Sequence, residues 1–463
     1  VNSLLEKVYS NSPIFFQNIM TTIYGYKLYR ERYMGNHDRY LKQLLESQWY
    51  AQEKINQLVD AKFNYILRYA IKHVPYYKNM VTKGKIDISK INGVSDINKL
   101  PILSKEEVRE KPEQFISDEF RKNELICINT SGTTGKTLKI YVDKDSRRYT
   151  YAFYSRLKSW AGVDGDHKNI TFAGRTIVSP DSNKPPYWRI NRAWNNHLFS
   201  SYHLSAENMK CYVAEMKKIQ PYFIDSYPSS IYTLANYMKE NKIHEISPKA
   251  IITSSETLLD SQREVIEEVF NCPVFDQYGC AEQVVFISQC EKGNYHIHPE
   301  YGVVEFIRDD GRTAQYGEQA RLICTGFTNL AMPLIRYDIG DTGILSKMTC
   351  TCGRNFPVIE KIVGRNDDIL VMGDGRQVGR LDPVFKGLKT IKEAQIIQED
   401  YDKIILKIVP GVNYMNSDAQ DVVWELKKRL GEKTEIKVEE VAEIPRSSNG
   451  KFRAVISKVN KNH

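Results

Sequence analysis

Between Glu124 and about residue 360, short apolar runs rich in β-branched residues alternate with helical patterns: LICINT, LKIYV, NITF, YFIDSY, AIITSS, CPVFDQYG and ARLICTGF. Runs this short and apolar, several ending in small polar residues before a helix, are strands of a mostly buried sheet with active residues at their ends. The fold class that follows is α/β. Ahead of this region, residues 1–80 carry mixtures such as YLKQLLESQWYAQEKINQLVDAKFNYILRYAIKHV, where Leu and Ile recur every three or four residues without Pro or Gly before Pro75. These are amphipathic helices. Behind it, after Arg365-Asn366-Asp367-Asp368, strand-like and helical pieces restart in a block of about a hundred residues, the length of a small α/β domain. The expected organisation is a helical region (1–80) packed on a large domain (81–366), followed by a small C-terminal domain (367–463).

A chain of 463 residues is long enough for two or three packed units. Its 41% hydrophobic and 26% charged content is that of a globular protein, not a disordered or fibrous one. The formal charge of +8 is compatible with anionic substrates or an acidic membrane surface, and no nucleic-acid partner is expected from it. No stretch approaches the roughly 18 to 20 apolar residues that span a bilayer, and the opening VNSLLEKVYSNSP lacks a signal-peptide core. A cytoplasmic location is expected, with the inner face of the membrane as a further place of contact. The segment PIFFQNIMTTIYGYKLYRERY, from Pro13 to Tyr33, would suit an interfacial helix on anionic lipid, although ordinary packing is the commoner use of such a helix.

ICINTSGTTGKTLKIYV places Thr130, Ser131, Gly132, Thr133, Thr134, Gly135 and Lys136 between two strand-like runs, concentrating hydroxyls and backbone N–H groups where few side chains obstruct them. Such a loop can wrap a phosphate, or be no more than a flexible hairpin turn. It is not a Walker A loop, because the GxxxxGK[ST] spacing is missing. Four further segments follow in order: AIITSSETL with Ser254, Ser255 and Glu256; DQYGCAEQ with Gln277, Tyr278, Gly279, Cys280 and Glu282; IRYDIGDTG with Asp338 and Asp341; and IPRSSNGKFR with Lys451.

With these five motifs in this order, the chain resembles the adenylate-forming superfamily of acyl-CoA synthetases, and within it the phenylacetate-CoA ligase-like, CapK-like branch of capsular polysaccharide biosynthesis. The likeness runs from about Glu124 to Lys458. It implies an adenylate-forming fold, with a large N-terminal domain of mixed sheets and helices and a small mobile C-terminal α/β domain. It also implies ATP, Mg²⁺ and coenzyme A as cofactors. Thr130 to Lys136 would hold the β- and γ-phosphates, and Glu282 would bind Mg²⁺ through a hard carboxylate oxygen. Asp341 would accept hydrogen bonds from the ribose hydroxyls. Ser254, Ser255, Glu256, Gln277, Tyr278 and Gly279 would line the nucleotide. Arg365 in GRNDD would meet ribose or phosphate, Asp367 would be the hinge, and Lys451 would bridge the attacking carboxylate and the α-phosphate.

The acyl pocket implied by the likeness falls on aromatic and cationic segments that carry Tyr187, Trp188, Arg189, Tyr202, His203 and Tyr227, with Cys280 beside them. Aromatics suit an aryl acid or a sugar face, and Arg189 or His203 suits a second anionic group, so the acid is a small molecule or is sugar-linked. The acceptor is the thiol of coenzyme A, or an amine or hydroxyl in a ligase that never uses it. A non-catalytic nucleotide-binding scaffold is the reading from another class. Separately, Cys290-x5-His296 and Cys350-x-Cys352 offer three thiolates and an imidazole, the donor set of a closed, structural Zn²⁺ site, with His298 competing for His296's place.

Overall fold

The computed structural model describes residues 8–130, 138–173, 177–179, 182, 184–205, 207–365, 370–373, 377–378, 381, 384, 390–431, 433–446 and 452–459. Ser131 to Lys136, Asp367 and Lys451 lie outside them, and for Thr130 and Arg365 the backbone alone is described. The helices used below are α1 (Ile14–Tyr33), α2 (His37–Ser47), α3 (Gln52–His73), α4 (Pro75–Thr82), α5 (Lys105–Glu110), α6 (Lys144–Trp160), α7 (Met209–Ile219), α8 (Pro228–Glu240), α9 (Asp260–Phe270) and α10 (Asn416–Leu430). The strands are β1 (Ile126–Thr130), β2 (Leu138–Val142), β3 (Asn169–Ala173), β4 (Trp188–Asn191), β5 (Asn196–Ser200), β6 (Phe223–Ser226), β7 (Ala250–Ser254), β8 (Val274–Gly279), β9 (Phe286–Gln289) and β10 (Tyr295–Ile297). They continue as β11 (Gly302–Ile307), β12 (Gln319–Gly326), β13 (Tyr337–Leu345), β14 (Val358–Arg365), β15 (Leu370–Val371), β16 (Gln377–Val378), β17 (Ile391–Asp400), β18 (Lys403–Pro410), β19 (Glu435–Glu440) and β20 (Val455–Ser457).

The chain divides into two compact units. The first takes residues 1–167, 190–196 and 275–362. Its strands run in the order β11-β12-β13-β14-β10-β9-β8. The β11/β12, β12/β13, β10/β14, β9/β10 and β8/β9 pairs are antiparallel. Antiparallel pairing needs only tight connections, which is why β-branched runs sit so close together here. Helices α3 and α4 bury Phe63, Ile66, Leu67, Ala70, Val74 and Tyr77 in one apolar cluster, the face that their three- and four-residue periodicity selects. α5 starts on a capping box in which Ser104 Oγ accepts from the Glu107 N–H while the Glu107 carboxylate accepts from the Ser104 N–H, and this fixes the direction of Lys105. β1 and β2 pair antiparallel, with Thr130 opposite Leu138.

The second unit takes residues 168–189, 197–274 and 363–463. Here β7-β6-β3-β5-β4 is the strand order, and β3/β6 and β6/β7 are parallel, with α8 as the crossover between β6 and β7. α7, α8 and α9 bury Met216, Ile231, Leu234 and Ile266 in the cluster that holds Ile170, Ile224 and Ile251 of the strands. A separate sheet, β19-β18-β17-β20, carries α10, whose Val422, Leu426 and Leu430 pack with Ile396, Leu406 and Ile408. Both units are mixed α/β, as the strand and helix rhythm implies.

Candidate functional site

In the first unit, β8 and β13 bring two of the motif residues together. Tyr278, at the end of β8, donates its hydroxyl to Asp341 Oδ2 on β13, 63 residues along the chain. Burial, reinforced by the Asp341 carboxylate, pushes the Tyr278 hydroxyl well above its usual range, so it stays a donor. Glu282 follows the strand end and is buried; its Oε1 accepts from Tyr337 Oη at 3.2 Å and pairs with Lys105 Nζ at 3.1 Å. Gln277 is buried below, and a Cβ on Gly279 would stand 2.7 Å from Gln277 Nε2, so a larger residue there would displace the Gln277 amide. Burial raises the Cys280 thiol, with the Glu282 carboxylate adding to the effect, so Cys280 is a protonated, apolar-packed group. Asp338 is engaged differently: its Oδ2 takes Arg321 Nη1 at 2.7 Å and its Oδ1 takes the Gly340 N–H at 2.9 Å.

In the second unit, β7 ends on half-buried Ser254 and exposed Ser255, whose φ of 72° is a left-handed conformation that a non-glycine residue rarely holds. That turn aims Glu256 at the start of α8. Tyr227, the N-cap residue of α8, does not cap the helix with its side chain, and Glu256 Oε2 accepts from the Ser229 N–H at 3.0 Å instead. A carboxylate borrowed from another loop thus satisfies a donor that the helix start leaves unpaired, and it sits where the helix dipole favours negative charge. Its other oxygen accepts from the Phe452 N–H at 2.6 Å. Burial nevertheless leaves the Glu256 carboxyl above its usual range, against the pull of those two N–H groups.

The aromatic side chains of this unit pack on one another. Tyr187 stacks on His203 at 4.9 Å and on Tyr212 at 5.9 Å, and Trp188 packs on Phe199. His203 is bonded at both nitrogens, to Ser200 Oγ and Ser179 O, and burial lowers it below the usual imidazole range. The buried Arg189 donates to the Pro186 and Trp188 carbonyls at 2.9 and 2.7 Å. Tyr202 and Tyr227 are half-buried.

The cysteine cluster lies wholly in the first unit. One donor atom from each of Cys290, His296, Cys350 and Cys352 lies within 4.8 Å of every other. Cys290 Sγ and Cys350 Sγ are 3.6 Å apart, and Cys352 Sγ is 3.4 Å from His296 Nε2. Tetrahedral ligands on Zn–S bonds of ~2.3 Å would stand about 3.8 Å apart, so the donors fit that ion. The N–H groups of Lys292 and Cys352 and the Asn294 amide all point at Cys290 or Cys350 sulfur, at 3.2 to 3.4 Å. His296 Nδ1 faces the Phe356 carbonyl at 3.3 Å, which leaves Nε2 for a metal. Burial lowers His296 to about 4, so the ring is neutral. His298 is elsewhere: its Nδ1 meets Arg156 at 2.6 Å and its Nε2 meets Ser288 Oγ at 2.8 Å.

Three participants were not selected from sequence. Lys105 looks like an exposed residue at a helix start, Tyr337 like one more apolar residue of IRYDIGD, and Asn294 like part of a turn. No sequence signal sets Lys105 apart, since only the tertiary fold puts it beside Glu282.

Residues 370–458 match the CapK C-terminal domain family. Over 465 residues, covering 98% of this chain and all of the relative, the sequence is 31% identical to Protein CapK of Staphylococcus aureus. It is 22% identical to a phenylacetate-coenzyme A ligase of Thermus thermophilus, covering 88% of this chain and 97% of that one. In fold it is similar to a crystal structure of 2-hydroxyisobutyryl-CoA ligase in the postadenylation state in complex with R3-HIB-AMP. That likeness has a TM-score of 0.72 at 17% identity and covers 89% of this chain and 91% of the other.

Proposed function

Because the chain belongs to the CapK-like branch of the phenylacetate-CoA ligase-like, adenylate-forming family, we propose that it is an AMP-forming ligase that activates a carboxylic acid as its acyl-adenylate. In this reading the acyl group then passes to the thiol of coenzyme A, in the tailoring of a surface polysaccharide. The observation that carries the reading is the Tyr278–Asp341 hydrogen bond, because it joins residues of two motifs, 63 positions apart, that the family likeness assigns to the nucleotide. A scaffold has no need for this convergence.

The residues divide the work as follows. The 130–136 loop takes the β- and γ-phosphates, Asp341 holds the ribose, and Tyr278 offers its ring to the base. Glu282 fits a divalent cation, since a cationic group, the Lys105 ammonium, already stands 3.1 Å from its oxygen. Magnesium, when bound, supplies charge neutralisation for the phosphates. Lys451 spreads the charge that builds as the carboxylate attacks the α-phosphorus, and Arg365 meets ribose or phosphate. Rotation about Asp367 then withdraws Lys451 and admits the acceptor. Glu256 supports this scheme as the group that grips the Phe452 N–H, the residue next to Lys451. The aromatic segment around Tyr187, Trp188 and His203, together with Arg189 and Tyr227, is assigned to the acid.

The deciding experiment is acid-dependent exchange of pyrophosphate into ATP across a library of aryl, hydroxy and sugar-linked acids. Lys451→Ala should suppress exchange by at least about a hundredfold while leaving ATP binding in place. Unchanged exchange in that variant would remove Lys451 from the mechanism, and no exchange with any acid would argue for the scaffold. Supplying coenzyme A, amines and alcohols to the loaded enzyme separates thioester from amide or ester formation.

A further inference from the structure

α1 packs with its polar side inward. Its buried residues are Gln17, Gly25, Leu28 and Arg32, and polar neighbours tie it to residues 190–192. Asn18 Oδ1 accepts from the Ile190 N–H at 2.9 Å, and Thr22 Oγ1 donates to Ile190 O at 3.4 Å and accepts from the Arg192 N–H at 3.2 Å. The apolar residues point out. Phe15 is 69% exposed, Phe16 56%, Ile19 39%, Ile23 64% and Tyr26 54%. At about 100° per residue these five, with Lys27 and Arg30, fall within an arc of roughly 120°, and Phe15 to Tyr26 spans about 16 Å of helix.

A row of large apolar side chains held against water by a polar inner face needs a partner. The charge around the row says which kind. Beyond Tyr26 the same face continues into Lys27 and Arg30, and the hollow beside it is lined by Ile23, Tyr26, Lys27, Arg30, Glu31, Lys144 and Arg148, four cations to one carboxylate. Among the described residues Arg30 and Lys144 make no ion pair, and Lys27 meets Glu31 only at 4.0 Å. A second copy of this chain would bring like charge to like, each copy carrying +8. No helix among the described residues is long and apolar enough to cross a bilayer, so α1 would lie along one.

We propose that α1 docks the protein on a bilayer rich in anionic phospholipid. Phe15, Phe16, Ile19, Ile23 and Tyr26 enter the boundary between headgroups and acyl chains, and Lys27, Arg30, Lys144 and Arg148 meet the lipid phosphates. The inference is independent of the acid-activating reading and goes beyond it.

The test is sedimentation of the full chain with vesicles of phosphatidylcholine alone, or with about one-third phosphatidylglycerol, at low and high salt. The expected result is binding to the anionic vesicles that salt reverses. Phe15→Ser/Phe16→Ser should weaken it by at least about tenfold, and Lys27→Glu/Arg30→Glu should abolish the preference for phosphatidylglycerol. Both pairs are exposed, and an unchanged circular dichroism spectrum and melting temperature will show that the variants fold. Equal sedimentation of wild type and the Phe variant would overturn the proposal. So would a wild-type dimer by analytical ultracentrifugation that the Phe variant splits, in a protein that ignores the vesicles.

Discussion

Replacing Lys105 with methionine removes the ammonium 3.1 Å from Glu282 while keeping most of the aliphatic stem. With an effective dielectric constant near 20, two unit charges at that separation attract by about 5 kcal/mol, of which desolvation cancels much. Breaking a fully buried pair on one side costs ~3–5 kcal/mol. The Lys105 side chain is 23% exposed, against 5% for Glu282, and Tyr337 still donates to the carboxylate. The loss is therefore placed lower, at about 2 kcal/mol. Glu282→Gln, which leaves a cation that can turn to water, should cost about 1 kcal/mol. The double variant should recover about 1 kcal/mol of the summed losses, because neither charge is then stranded. Urea unfolding of the four proteins, followed by tryptophan fluorescence, measures the cycle. Additivity within about 0.5 kcal/mol would refute the pairing. If Glu282 also takes the cation, Lys105→Met should reach half-maximal exchange at about a tenfold lower Mg²⁺ concentration, its competitor having gone.

Metal analysis should find one zinc per chain, lost from Cys350→Ser/Cys352→Ser but retained in His298→Asn, since His298 faces Arg156 and Ser288 instead. A folded, zinc-free wild type would sink this. At Glu300, burial works to raise the carboxyl, but the Arg156 guanidinium and the Ser47 hydroxyl overcome it and hold it below its usual range. The stability this supplies is present above the unfolded pKa of about 4.3 and disappears as the pH falls through the lower folded value. Glu300→Gln should therefore lose about 3 kcal/mol at neutral pH, with the gap to wild type narrowing in acid unfolding curves. Gly302→Ala would set a Cβ 2.5 Å from Thr325 O and 2.6 Å from Val284 O, both immovable backbone. A melting temperature unchanged by that substitution would contradict the close approach of β11 to its neighbours; a cost above about 2 kcal/mol is expected.

The strands and their small polar ends were legible because local chemistry fixes them. β7 runs to Ser254 of TSSETL and β8 to Gly279 of DQYGC, and the order of the motifs along the chain does the rest. Lys105 was not legible, since a lysine after a Ser N-cap reads as a solvated helix start, and its partner Glu282 is 177 residues away. His296 and His298 could not be separated by strand parity, because residues two apart share one side of a strand. What separates them is the end of β10 at Ile297 and the buried guanidinium of Arg156. For α1 the sequence favoured ordinary packing. Which side of a helix faces inward depends on what it meets, and here Ile190 and Arg192 present backbone groups that Asn18 and Thr22 answer.

The four cluster residues also have a topological consequence. Cys290 and Cys350 are 60 residues apart, so a metal shared between them closes a ring of chain containing β10, β11, β12 and β13. Within that ring lie Tyr337 and Asp341. A protease cutting an exposed turn such as Asp309–Arg312 would open the backbone without parting the pieces, since each would remain coordinated to the same ion. The β11/β12 and β10/β14 ladders span the same cut, so the nicked protein should migrate whole, and a chelator should lower its melting temperature rather than part the pieces.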